Sequence, residues 1–361
     1  MMNVIFRVDA SINIGSGHVM RCLTLAQQLQ KEKNAKVYFI SRELEGNLID
    51  SIKEKGFEVK TLSKNDKVFN NLEGYQKWLT VSQQFDVEQT IQILTDLDIS
   101  IDLLIIDSYA IDIEWENKIR PYVKKIMVID DLANRKHDCD ILLDQNFYLN
   151  MEERYNGLVP INCKLFLGPR YVILREEFYE VKKHLRHRNG NIKNIFVFFG
   201  GIDITNETMK TLRAIILLKQ KDIVVNVVVG KNNPYKESIE KFCRKYDNIN
   251  YHCQVDNMAE LMNEADLAIG AGGTTTWERC FLGLPSLVIA VAENQEICSK
   301  ICEINGYLKY LGIYNNVDVE NIYYFLQFLL NNKNFALEMT TKMEKVFSNK
   351  FNRNMLNYLG V

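Results

Sequence analysis

Val4-Ile5-Phe6-Arg7-Val8-Asp9 leads within a few residues into Asn13-Ile14-Gly15-Ser16-Gly17-His18-Val19-Met20-Arg21. The first stretch is short, apolar and rich in β-branched residues, which predicts a buried strand. Downstream, Cys22, Leu25, Ala26 and Leu29 recur at the spacing of one helix face. A strand, a glycine turn and a helix in that order are the opening unit of a parallel α/β sheet. The alternation continues, with residues 36–41, 102–107, 125–130 and 141–143 reading as strands buried on both faces and a helix near 46–55. The polar segment from about 63 to 100 has no strong period and reads as an insertion with a helix or two.

A basic stretch, Lys182-Lys183-His184-Leu185-Arg186-His187-Arg188-Asn189-Gly190, interrupts the pattern and reads as a solvated interdomain linker. The alternation then restarts with strands at 194–199, 223–229, 249–253, 265–269 and 285–291, and helices near 205–219, 234–246 and 294–304. Val319, Ile322, Leu326 and Leu329 share one further helix face. The expected fold class is therefore α/β, with two Rossmann-like domains at 1–180 and 190–361 and terminal helices able to pack back on the first. Ligands of such folds bind at the carboxyl ends of the strands, here expected in an interdomain cleft.

Length and composition agree: 361 residues suit about two domains, and 47% hydrophobic with 25% charged residues suit a folded chain. With 44 basic against 46 acidic residues, the net charge of -2 argues against nucleic-acid binding by bulk electrostatics. The eight cysteines form no C-x-x-C pair, which argues against a zinc knuckle and predicts buried thiols in a reducing compartment. No signal-peptide pattern and no apolar run of ~20 residues is present, so a cytoplasmic protein without a membrane partner is expected.

Four stretches carry candidate chemistry. In the first, Gly15, Ser16 and Gly17 allow a close backbone approach to a ligand, and Arg21 follows one turn on. His18 falls in the first helical turn, where the dipole disfavours imidazolium, so it reads as a base or else as a solvated helix-start histidine. The second, Phe199-Gly200-Gly201-Ile202-Asp203-Ile204-Thr205-Asn206, is either a phosphate loop or a tight turn, with Thr205 or Asn206 as N-cap. The third, Gly270-Ala271-Gly272-Gly273-Thr274-Thr275-Thr276-Trp277-Glu278, concentrates backbone N–H groups and hydroxyls suited to a diphosphate. Glu278, inside the helix, suits ribose hydroxyls, and Ala292-Glu293-Asn294-Gln295 brings polar groups to the same sheet edge. The fourth runs from Asp130 to Asp140 with four carboxylates and His137. A metal is one reading of it, but no spacing forces the ligands to converge and Arg135 and Lys136 balance charge. Asp107-Ser108-Tyr109 is a further strand-end constellation.

These motifs, in order, resemble the UDP-sugar hydrolases of the pseudaminic acid pathway. The resemblance rests on Phe6-Arg7-Val8-Asp9 with Gly15-Ser16-Gly17-His18, Ile106-Asp107-Ser108-Tyr109, Ile129-Asp130-Asp131-Leu132-Ala133 and His137-Asp138-Cys139-Asp140. It continues through Leu142-Leu143-Asp144-Gln145-Asn146, Gly168-Pro169-Arg170-Tyr171 with Leu174-Arg175, Phe199-Gly200-Gly201 with Asp203, and Glu293-Asn294-Gln295. It implies a GT-B architecture related to the peptidoglycan N-acetylglucosaminyltransferase, with UDP held mainly by the second domain. It also implies inverting, metal-independent hydrolysis of UDP-2,4-diacetamido-2,4,6-trideoxy-β-L-altropyranose, with no cofactor. Within it, His18 matches the water-activating histidine, and Tyr109 and Asn294 match polar residues facing the sugar. Gly273, Thr274 and Glu278 match the diphosphate and ribose region. The remaining expected substrate contacts are Arg7, Gly15, Ser16, Gly17, Arg21, Gly200, Gly201, Gly272, Thr275 and Gln295. The rivals are an inverting glycosyltransferase of the same fold and a non-catalytic UDP-sugar-binding protein.

Overall fold

The computed structural model describes residues 1–63, 72–347 and 354–359. Each apolar run read as a strand forms one, with ends shifted by at most about two residues. The chain divides into two units, Met1–Ile173 with Asn352–Val361, and Leu174–Phe351.

The first unit is built from β1 (Asn3–Val8), α1 (Gly17–Lys33), β2 (Lys36–Arg42), α2 (Ile49–Glu54), β3 (Glu58–Leu62) and α3 (Gln83–Leu97). There follow β4 (Leu103–Asp107), α4 (Ile113–Ile119), β5 (Ile126–Ile129), β6 (Ile141–Asp144) and β7 (Lys164–Leu167). Its seven strands are parallel in the order β3-β2-β1-β4-β5-β6-β7. Side chains alternate across β1, so Val4, Phe6 and Val8 pack with Val19, Cys22, Leu25 and Leu29 of α1, while Ile5 joins Val87, Leu94 and Trp115 on the other face. Both faces are covered, which is why the strand is apolar on both, apart from Arg7.

The second unit contains α5 (Glu176–Lys182), β8 (Asn194–Phe198), α6 (Glu207–Leu217), β9 (Val224–Val229), α7 (Lys236–Cys243), β10 (Ile249–Cys253), α8 (Met258–Glu264) and β11 (Leu267–Ala271). It continues with α9 (Thr275–Phe281), β12 (Ser286–Ala290), α10 (Glu296–Ile304), β13 (Lys309–Ile313), α11 (Val319–Asn331) and α12 (Lys333–Phe347). Its six strands are parallel in the order β10-β9-β8-β11-β12-β13. The last helix, α13 (Asn354–Leu359), buries Met355, Leu356 and Leu359 in the core of the first unit. In both sheets the strand order reverses direction once, between β1 and β4 and between β8 and β11, and such switch points are where doubly wound folds bind ligands.

The structure corrects the sequence reading in three places. Of the 63–100 segment, residues 64–71 lie outside the described residues, and α3 is no insertion but the crossover between β3 and β4, packed in the core. Arg7, expected at substrate, is 0% exposed: its guanidinium lies 2.7 Å from Asp9 and 2.6 Å from Asp86. Arg42 and the indole N–H of Trp115 also converge on Asp86, so Arg7 belongs to a buried charge network. The basic stretch is not simply solvated. Arg188 is buried and donates to the carbonyls of Met262, Ala265 and Leu282 at 2.8–3.0 Å, because a guanidinium's fork of donors satisfies several helix-end carbonyls at once. All eight cysteines are free, and among the described residues no helix is long and apolar enough to cross a membrane.

Candidate functional site

At the switch point of the first sheet, the chain leaves β1 through a tight turn in which the Gly15 N–H donates to the Ser11 carbonyl at 2.9 Å. Gly15 has φ +81°, a conformation that favours glycine, and neither it nor Gly17 has an atom within 4 Å of where a Cβ would stand. The turn is therefore open. Ser16 is the N-cap of α1 but makes no side-chain cap bond, leaving its hydroxyl uncommitted to the helix.

His18 follows in the first turn of α1, and its Nδ1 lies 2.6 Å from Oδ1 of Asp107, the last residue of the neighbouring β4. Arg21, one turn on, grips the same carboxylate with Nε and Nη2, each at 2.6 Å. Burial alone would raise the Asp107 carboxyl, but the charge and hydrogen bonds of Arg21, with His18, hold it well below the usual range. An ionised carboxylate only accepts, so Nδ1 carries a proton, and in the neutral ring the lone pair falls on Nε2. The Nη2 of Arg21, 3.2 Å from Nδ1, is a second donor converging on the same oxygen. Arg21, expected to contact substrate, is thus committed to Asp107. His18 borders a small recess lined also by Asp9, Ile14, Trp78, Asp107 and Ser108.

Tyr109 stands edge-on to His18, with ring centroids 4.8 Å apart, and its hydroxyl donates to Asp131 Oδ1 at 2.5 Å. Asp131 also accepts from Asn146 Nδ2 at 3.0 Å and lies 3.8 Å from Arg21. Burial and the Asp131 charge push the Tyr109 phenol well above its ordinary value, so it stays protonated. The other members of the acidic run disperse to separate partners: Asp130 to Arg135, Asp138 and Asp140 to Arg120, and His137 to Glu116. Among the described residues no group of three His, Cys, Asp or Glu side chains is placed to hold a metal. Sequence reasoning missed Tyr75 and Trp78, a pair of aromatics three residues apart in a polar stretch, whose rings pack on Tyr109 and, for Trp78, on His18.

At the switch point of the second sheet, Asp203 accepts from the N–H groups of Glu207 at 2.9 Å and Thr208 at 3.0 Å. Asn206 is the N-cap residue of α6, one of the two positions expected, but its side chain makes no cap bond; Asp203 caps the helix instead and occupies N–H groups a phosphate would otherwise use. Gly200 takes φ +92°, and the Gly201 carbonyl packs against Gly230, where a Cβ would stand 2.0 Å from it. The loop is therefore closely packed at Gly201, whereas Gly200 has no atom within 4 Å of where a Cβ would stand. In the loop after β11, residues 272–275 are half-buried. The Gly272 N–H donates to Gln295 Oε1 at 3.2 Å, and the same oxygen accepts from Val291 N at 3.0 Å. Gln295 thus ties two loops together, and the Gly272 amide is not free for a ligand. Gly273, Thr274 and Thr275 open α9, where the Thr276 and Trp277 N–H groups turn back to the Gly273 and Thr274 carbonyls at 2.9 and 3.0 Å. Glu278 is 8% exposed, with Oε1 3.2 Å from Arg175 and Oε2 without a hydrogen-bond partner among the described residues. Asn294 is half-buried in the 3₁₀ turn Glu293–Gln295.

Residues 194–353 match the glycosyltransferase family 28 C-terminal domain. An uncharacterized protein of Methanocaldococcus jannaschii is 32% identical over 304 residues, covering 82% of this chain, which spans 57% of that protein's length. The solved structure of Acinetobacter baumannii MurG matches with a TM-score of 0.62 at 13% identity, covering 99% of both chains, and this shows the fold. It agrees with the expectation of two Rossmann-like domains of the GT-B class. The UDP-2,4-diacetamido-2,4,6-trideoxy-β-L-altropyranose hydrolase of Campylobacter jejuni is 30% identical over 307 residues, covering 85% of this chain and 98% of that one. On that coverage, the chain belongs to the family of this pseudaminic acid pathway hydrolase.

Proposed function

We propose that the protein hydrolyses UDP-2,4-diacetamido-2,4,6-trideoxy-β-L-altropyranose to UDP and 2,4-diacetamido-2,4,6-trideoxy-L-altropyranose, a step of pseudaminic acid biosynthesis, without a metal and with inversion. The observation that carries this reading is His18 held by Asp107 in the tautomer that leaves Nε2 free to accept a proton. Nε2 takes a proton from water as the water oxygen bonds to the anomeric carbon. The C1–O bond breaks with its electron pair going to the β-phosphate oxygen, and the imidazolium later releases its proton to solvent. The reading assigns UDP to the second unit. There Gly273, Thr274 and Thr275 offer N–H groups and hydroxyls to the diphosphate, and the unpartnered Glu278 Oε2 accepts from a ribose hydroxyl. Tyr109 and Asn294 contact the sugar. A nucleotide sugar is a cytoplasmic metabolite, and we place the reaction there.

Real-time proton NMR with this UDP-sugar and a chelator tests the proposal. It expects UDP and the free sugar, first as the inverted anomer. The match of residues 194–353 to a glycosyltransferase domain favours a second reading, in which an acceptor hydroxyl replaces water. Turnover that begins only when an acceptor is added would select it.

A further inference from the structure

We infer that Trp78, backed by Tyr75, forms an aromatic wall that recognises the apolar side of the sugar and shields His18 from bulk water. The inference rests on the proposed UDP-sugar reading and adds a specificity element supplied by the 3₁₀ turn Gly74–Leu79.

The 3₁₀ turn Gly74–Leu79 places residues three apart on one side, so Tyr75 and Trp78 emerge together, with ring centroids 4.9 Å apart. The turn is anchored by Leu79, 1% exposed, which packs with Val81 and Ala110. Tyr75 lies 5.1 Å and Trp78 5.4 Å from the Tyr109 ring. Trp78 also meets His18 edge-on at 5.9 Å, with the planes at 81°. His18 is therefore flanked by two aromatic rings, Trp78 on one contact and Tyr109 on the other.

The recess beside His18 combines Asp9, Asp107 and Ser108 with the apolar Ile14 and Trp78. Trp78 is only half-buried, so part of its large ring remains available to a ligand. A hexose that lacks its 6-hydroxyl and carries two N-acetyl groups presents three methyl groups that water solvates poorly, and an indole face is a matching surface. The same ring limits the approach of bulk solvent to the base, favouring a single positioned water.

Three variants test this, Trp78→Ala, Trp78→Leu and Trp78→Phe, each checked by thermal melting. We expect Trp78→Ala to raise KM for the UDP-sugar about tenfold, the scale of one or two lost apolar contacts, while inhibition by UDP alone is unchanged. Trp78→Phe restores most of the loss. Trp78→Leu, which keeps apolar bulk and fold, gives an intermediate value and serves if the alanine variant fails to fold. Preference for the 6-deoxy sugar over its 6-hydroxy counterpart shrinks in the order Phe, Leu, Ala. A KM within about twofold of the parent in both the leucine and the alanine variants, or a parallel loss of UDP inhibition, overturns the wall. Calorimetric binding separates this from failure of the hydrolase reading. A protein that turns over nothing, yet binds the UDP-sugar more tightly than UDP in a Trp78-dependent manner, sinks the hydrolysis and keeps the wall. Normal turnover with no dependence on Trp78 does the reverse.

Discussion

Asp107→Asn isolates the charge that fixes the His18 tautomer while leaving shape and volume almost unchanged. In the parent protein three contacts of 2.6 Å, one from His18 and two from Arg21, hold the carboxylate ionised, and its oxygens accept only. An amide at this position donates as readily as it accepts. It can turn its NH₂ toward Nδ1, moving the ring proton to Nε2 and removing the base. General-base catalysis is worth about 10²–10⁴-fold, and we expect kcat to fall in that range with KM changed little. The substitution also removes the charge that Arg21 faces at 2.6 Å, leaving Asp131, at 3.8 Å, as its carboxylate neighbour among the described residues. Breaking a buried ion pair costs about 3–5 kcal/mol, and the remaining Asp131 contact puts the expected loss near the lower end. The assay is UDP release at saturating substrate from pH 5 to 9, with urea unfolding to measure stability and UDP inhibition to confirm that the second unit is intact. A folded variant retaining more than about a tenth of the parent kcat would refute the role given to the dyad.

Three further outcomes are expected. Asp144 is buried beside Asp131 and Asp130, and burial first, then their charges, push its carboxyl from 3.8 up to about 8. A raised folded value stabilises fully below the unfolded one and is lost as pH rises through about 8. The melting temperature of the parent relative to Asp144→Asn should therefore fall from about pH 4 to about 8 and level off above; a constant difference over that range would show that the Asp144 carboxyl is not raised. Asp86→Asn leaves the buried guanidinium groups of Arg7 and Arg42 short of charge and should cost about 3–5 kcal/mol in urea unfolding, whereas a loss under about 1 kcal/mol would show the network to be dispensable. Glu278→Gln should weaken UDP inhibition about tenfold or more, as loss of a charged hydrogen bond does, but should not weaken inhibition by UDP analogues lacking the ribose hydroxyls; equal loss for both would remove the ribose role.

Much of this was legible in the sequence because the central strands are covered on both faces. β4 and β11 carry apolar runs, and β1 one interrupted by Arg7, and such runs announce themselves. The edge strands β3, β7 and β13 were not read, since each is short and carries lysine at Lys60, Lys164 or Lys309, the usual means of blunting a sheet edge. The glycine turn before His18 was legible from its spacing. Its partner was not: Asp107 lies 89 residues away, and only the β1–β4 pairing brings the two together. Arg7 and Arg21 look alike on paper as cations near a glycine loop. Strand alternation sends Arg7 toward Asp86 on α3, while helix position sends Arg21 to Asp107. Gln295 was expected to contact substrate, but its amide oxygen accepts from Gly272 and Val291, a pairing that no sequence spacing reveals. Trp78 was invisible for a different reason. A single 3₁₀ turn has no period long enough to read, although it sets two rings beside the base.

The central claim is that water attacks the anomeric carbon of a UDP-sugar, and turnover in H₂¹⁸O tests it most directly. Cleavage of the C1–O bond puts the heavy oxygen on the sugar and none on UDP, with the inverted anomer appearing first. Label in the β-phosphate of UDP, or no turnover until an acceptor alcohol is supplied, would contradict the account.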